Sequence, residues 1–316
     1  MEKQHLRVWL KMAALLAVYV GAGRFGLSLA IVNSSASAVW PPTGIALAAL
    51  IILGLRAWPC IFLGAFLVNI MTSSPSGTPV WLAFGKSLGV AIGNTMEACG
   101  GAWLVQKFAG GAEVFERAAN VFKFTILAAL GSTMISATVG VVSLTATSHA
   151  GWKEFSTIWL TWWLGDMAGA LMIPPLVLVW VRQPIIHFSK RQWLEAAALV
   201  VIVIVVGYGI FLGGISPDKT KHLKYLAEIP LLWAAFRFKQ HGAVTGAFMM
   251  SAMALAGTLH GSGPFAMVDA NESLLFLQGF LGTIYSRVPS PSRSASKRRR
   301  NRGKHSGKVH PANGRA

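Results

Sequence analysis

The chain has 316 residues, 54% of them hydrophobic and only 12% charged, where soluble domains average about 25% charged residues. The formal net charge of +17 is uneven: ten of the 28 Lys and Arg follow Tyr285 in a stretch without acids, and the rest holds 18 basic against 11 acidic residues. A soluble domain is excluded, and so, apart from the basic tail, is a nucleic-acid binder. The fold class expected is all-α, a polytopic integral membrane bundle of about eight to ten transmembrane helices.

Taken in chain order, Lys3, Arg7 and Lys11 precede an apolar run from about Met12 to Val32. Ala36-Ser37-Ala38 resembles a signal-peptidase site, yet the run exceeds a typical apolar signal region of about 7–15 residues. It reads as a retained first span. Hydrophobic runs place candidate spans at 9–32, 41–55, 57–71, 80–106, 121–146, 157–181, 193–214, 226–236, 242–259 and 274–285. The second, third, eighth and tenth are shorter than the roughly 17 residues a crossing needs. Two of these four could pair as re-entrant or tilted segments, which would leave eight full crossings.

Charge orients this set. With ten crossings and an inside N-terminus, inner loops carry Lys3, Arg7, Lys11, Arg56, Lys107, Arg117, Lys123, Arg182, Lys190, Arg191, Arg237 and Lys239. Outer loops carry Lys153, Lys219, Lys221 and Lys224. The bias follows the positive-inside rule and predicts an inner-membrane-type protein with both termini cytoplasmic.

The second span opens with Trp40-Pro41-Pro42-Thr43-Gly44 and meets the third at Trp58-Pro59. Proline suits the first helical turn, where its missing N–H would find no partner anyway. Trp40 and Trp58 are expected at the headgroup interface, pinning a compact helix at both mouths. In the fourth span Gly85, Gly89, Gly93, Glu97 and Gly101 recur every four residues. Their shared face lets a neighbouring helix approach closely.

Ionisable residues in apolar spans are costly and need partners or a wet cavity. Glu97, Asp166 (in Trp162–Pro175, WWLGDMAGALMIPP) and Arg24 in the first span are the buried charges predicted. Glu97 or Asp166 paired with Arg24, or with backbone and Ser/Thr hydroxyls, would simply fix the bundle; ligand contact or a proton-linked role is the functional reading. Lys86, eleven residues before Glu97, lies about 16 Å away along the axis and is too far to pair with it. Cys60 and Cys99 form no metal or redox spacing and read as small buried hydrophobes. The eight histidines are scattered singly, so no metal and no cofactor is expected.

The segments Trp40–Asn69, Gly93–Leu104 and Trp162–Leu178 resemble the membrane-associated sensor domain of the first type, the MASE family. The likeness in order and spacing covers residues 8–285. It implies a sensory input module of bacterial two-component or cyclic-di-GMP signalling, with no catalysis of its own. It carries over Trp40, Pro41, Pro42, Gly44, Trp58, Pro59, Asn69, Glu97 and Asp166 as motif positions. Gly85, Gly89, Gly93 and Gly165 join them as packing positions, and Glu97, Asp166, Arg24 and Asn69 are the ligand or signalling candidates. Expected partners are the lipid bilayer and an unknown small-molecule or membrane-protein stimulus, with homodimerisation open and no nucleic acid. A secondary transporter or a membrane scaffold for partner sensors is the alternative.

Residues 1–285 form the predicted membrane domain and 286–316 a disordered basic tail, too poor in apolar residues to fold. The abrupt change of composition, where an output domain would begin, suggests a frameshift and a truncated signalling protein. A genuine basic tail held on anionic lipid is the other reading.

Overall fold

A computed structural model describes residues 2–33, 35–72, 79–182, 188–213 and 222–286. The expected tail, beyond Ser286, lies outside the described residues, as do Lys219 and Lys221. Ten helical segments are present among the described residues: α1 (Glu2–Ser28), α2 (Pro41–Leu53), α3 (Trp58–Thr72), α4 (Val80–Phe108), α5 (Ala118–Ala146), α6 (Phe155–Arg182), α7 (Lys190–Leu212), α8 (228–238), α9 (240–259) and α10 (Ala270–Ser286). By length and composition six stretches could cross a membrane: those of α1, α3, α5, α6 and α7, and the run Leu223–Leu259, which holds both α8 and α9. Many large apolar side chains face outward, among them Trp9, Phe25, Trp81, Val205 and Phe236, as suits a bundle set in lipid.

Side-chain registers give the direction of each segment. Tyr19 packs on Gly64 and Gly23 on Val68, so α1 and α3 run parallel. Gly44 meets Gly169 and Ile173 while Trp40 meets Gly165 and Gly169, so α2 and α6 are parallel too. Gly89, Gly93 and Gly101 face Ser143, Val139 and Ser132 in turn, which makes α4 and α5 antiparallel. Gly207 meets Met253 and Gly257 meets Phe211, setting α7 parallel to α9. Each register agrees with ten segments that alternate in direction and leave both ends of the bundle on one side.

Segments α8 and α9 are joined at Lys239, whose φ of 55° and ψ of −140° are not helical. A methyl built on Gly246 would stand 3.1 Å from Leu231 Cδ2. In a straight helix these residues would be about 22 Å apart. The chain therefore folds back on itself at Lys239, as the separate spans 226–236 and 242–259 anticipate.

Lipid offers no hydrophobic force for helix association, so close packing of small residues carries it. The α4 glycines do this as expected: a side chain on Gly89 would collide with Ser143, and one on Gly93 would press to 3.0 Å from Val139 Cβ. α5 widens into π-helix over Thr125–Ser132, and the Trp163 indole donates to the Leu130 carbonyl there at 3.0 Å. Pro174 and Pro175 stand inside α6.

Two expectations change here. The first span ends at Ser28, and the chain then forms a small antiparallel hairpin, β1 (Ala30–Asn33) with β2 (Ala36–Ser37). Ser37 Oγ is held 2.6 Å from the Gly26 carbonyl oxygen and 2.7 Å from that of Val39. Trp40 is only 8% exposed, packed over Gly26 instead of lying at the headgroups. The reason is the extended segment 37–40, which is buried in protein; the Trp40 N–H donates to the Gly165 carbonyl at 2.9 Å. Such non-helical backbone is tolerated at depth only when protein surrounds it. Trp58, by contrast, is 48% exposed at the far end of α2. Pro41 and Pro42 occupy the first turn of α2, and Pro59 the first turn of α3.

Candidate functional site

The WPPTG stretch, the fourth span and the WWLGD stretch converge. Thr43 follows the two prolines, so the start of α2 fixes its direction, and its hydroxyl donates to Asp166 Oδ1 at 3.0 Å. The close crossing that allows this depends on glycine. A Cβ on Gly44 would fall 2.7 Å from Ile173 Cβ, and one on Gly165 would collide with the Ser37 carbonyl. Asp166 is fully buried and Glu97 is 2% exposed. The Glu97 carboxyl lies against Asp166, Ser136 and Thr43. None of them closes a hydrogen bond on it, so both Glu97 oxygens and Asp166 Oδ2 are without a hydrogen-bond partner.

A polar chain surrounds the pair. Ser136 Oγ donates to Asn94 Oδ1 at 2.6 Å, and the Trp162 indole donates to Ser136 Oγ at 3.1 Å. Asn94 Nδ2 reaches the Tyr19 hydroxyl at 3.5 Å. Five helices, α1, α2, α4, α5 and α6, thus supply one cluster. A cleft of about 270 Å³ runs to Asp166 from the hairpin side of the bundle, lined by Ser35, Ser37, Trp40, Asn69, Val90 and Trp162 among others. Asn69 is buried, and its amide donates to the Ala65 carbonyl at 2.9 Å.

Arg24 is corrected: it is exposed on the outside of α1 and pairs with neither acid. Glycines alternate with apolar residues around it, and the face that packs on α3 is the one bearing Tyr19 and Gly23. Among the described residues, the ion pairs gather at the opposite end of the bundle from the hairpin. Arg182 meets Glu113 at 2.8 Å, and both Arg191 and Arg237 meet Glu195.

Sequence reasoning missed Tyr19, Thr43, Asn94, Ser136 and Trp162. Thr43 and Trp162 lie inside quoted motifs, and Asn94 lies one turn before Glu97, on the same face. Ser136 is simply a hydroxyl in an apolar span and gives no signal of its own. Lys86 is buried after all, 3% exposed, and its charge acts on His149 in the loop between α5 and α6. Burial first, and then Lys86, hold the His149 imidazole below its usual range, with a hydrogen bond to Thr147 opposing them.

The helix that bears Asp166 is hydrogen-bonded to the last helix. Gln278 Nε2 of α10 donates to the Leu164 carbonyl at 2.9 Å, two residues before Asp166. Thr161 donates to Asn271 Oδ1 at 2.6 Å, and the Asn271 amide donates to the Thr157 carbonyl at 3.2 Å. α6 thus carries one acid of the pair and is clasped to α10 along the same stretch.

A lipid-coated helical bundle with a buried polar cluster in its interior is a multi-pass membrane protein built around an internal site. The chain belongs to the MASE1 family of membrane-associated sensor domains, whose profile matches residues 10–285. No curated protein and no solved structure matches it. Family membership makes the chain a membrane sensory input module.

Proposed function

We propose that this module serves bacterial two-component or cyclic-di-GMP signalling from the inner membrane, with both termini cytoplasmic and without catalysis of its own. In this reading the stimulus acts on the Glu97–Asp166 cluster, and α10 carries the response towards the cytoplasm. The observation that supports it is the clasp of Gln278 and Asn271 on the helix that bears Asp166. Ion pairs and basic residues crowd the end where α10 finishes, in keeping with the positive-inside rule.

The test fuses residues 1–286 in helical phase to a histidine kinase or diguanylate cyclase output. Glu97→Gln and Asp166→Asn are expected to insert normally and to shift output away from the parent level. Unchanged output from both variants would refute a signalling role for the pair. Reporter fusions after Gln183 and Gln240 are expected to be active inside, and fusions near Ser74 and Gly261 outside. An outside reporter at the C-terminus would reject the topology.

A further inference from the structure

Two buried carboxyls stand side by side with no basic residue on either. Arg24 faces outward, and among the described residues the ion pairs belong to Glu113 and Glu195. A bare charge in such a place costs several kcal/mol and calls for a compensating positive charge. The two carboxyls lie against each other, and neither Glu97 oxygen meets a hydrogen-bond donor in good geometry. Three carboxylate oxygens, Glu97 Oε1, Glu97 Oε2 and Asp166 Oδ2, are therefore buried and unpartnered, all in one place.

The donors around them are hard oxygens. Thr43 Oγ1 and Ser136 Oγ complete the set. Such a set selects alkali and alkaline-earth ions over transition metals. The cleft that reaches Asp166 has room for about one water-sized body. That size excludes a metabolite. It also disfavours magnesium, which keeps several waters about it.

We infer that the Glu97–Asp166 pair is a binding site for a small monovalent cation of sodium size, admitted from the hairpin side past Trp40 and Asn69 and held by Glu97, Asp166, Thr43 and Ser136. The inference rests on the sensor reading in that it names what the same cluster takes up. An ion there offsets one of the two carboxylate charges and draws α2, α4, α5 and α6 together at the level where α10 is clasped.

The test uses the full chain in lipid nanodiscs at constant ionic strength, with sodium replaced stepwise by choline. Sodium is expected to raise the melting temperature saturably, and radioactive sodium to bind at one ion per chain. Glu97→Gln and Asp166→Asn are expected to abolish the response. Thr43→Val, which keeps the volume, is expected to raise the half-saturating sodium about tenfold. Glu195→Gln breaks an exposed ion pair elsewhere and is expected to leave the sodium response intact. If either acid variant fails to fold, Thr43→Val and the parent's binding stoichiometry still decide. Stability that ignores sodium at every pH, or responds to pH alone, overturns the inference, as does a response that survives both acid variants. Output from the fused kinase or cyclase is read separately. A cluster that signals without binding sodium sinks the ion site and spares the sensor reading.

Discussion

Gly44→Ala isolates the contact on which the cluster depends. The added Cβ would stand 2.7 Å from Ile173 Cβ and 2.9 Å from the Gly169 carbonyl carbon. Carbon contacts settle near 3.5–4.0 Å, so α2 and α6 must part by about 1 Å. Thr43 Oγ1, one residue away, now lies 3.0 Å from Asp166 Oδ1, and a retreat of that size takes it beyond hydrogen-bond range. Overpacking costs about 1–3 kcal/mol, here near the upper end because the obstacle is backbone. The lost hydrogen bond adds about 1 kcal/mol. The better helix propensity of alanine returns about 1 kcal/mol. The net loss is about 3 kcal/mol, roughly a hundredfold in the unfolding equilibrium. Gly21→Ala is the matched control, because nothing lies within 4 Å of its Cβ. Both variants would be unfolded by denaturant titration in mild detergent. Gly44→Ala proving as stable as Gly21→Ala would refute the close-crossing argument.

Three further outcomes are expected. Lys239→Gly relieves a left-handed φ of 55° and should stabilise the α8–α9 hairpin by about 1 kcal/mol; a loss of stability in the same titration would contradict the backbone reading. His149 is held below its usual range of 6.5 by burial and by Lys86, so the folded state binds its proton less readily than the unfolded state. Its contribution is complete above about pH 6.5 and is lost as pH falls through the depressed folded value. Melting temperatures measured from pH 7.5 to 5 should therefore fall with pH, and His149→Asn should flatten that fall. Gln278→Leu should leave expression and insertion unchanged but uncouple a fused output from its stimulus; a full response would show that the clasp on Leu164 carries nothing.

Much of the fold is legible in the sequence because lipid imposes a simple rule: every buried backbone group pairs internally, so apolar runs become helices. Even the short spans 226–236 and 242–259 come out as separate segments, since Arg237, Lys239 and Gln240 interrupt the apolar run between them. The hairpin at residues 30–37 is not legible, because Ala30-Ile31-Val32 reads equally well as the end of a span. Glu97 and Asp166 stand out by charge alone. Their surroundings do not, because the hydroxyls of Thr43 and Ser136 weigh little in hydropathy and matter only through contacts across 123 residues of chain in the one case and between neighbouring helices in the other. Arg24 was misplaced for a related reason: hydropathy identifies a charge inside a span but not the face it occupies. The glycine repeat from Gly85 to Gly101 does define a face, and that face is where α5 packs.

Pro174 and Pro175 in α6 bear on how force can travel through this molecule. Neither has an N–H, so the Ala170 and Leu171 carbonyls lose their helical donors, and the rod softens two turns past Asp166. On the proposed sensor reading, strain set up at the acid pair would be absorbed at this joint before it reached Arg182. The stiffer route would run sideways, through the Leu164 carbonyl into Gln278. α6 would then work as a rocker pivoted at its prolines, with α10 as the push-rod.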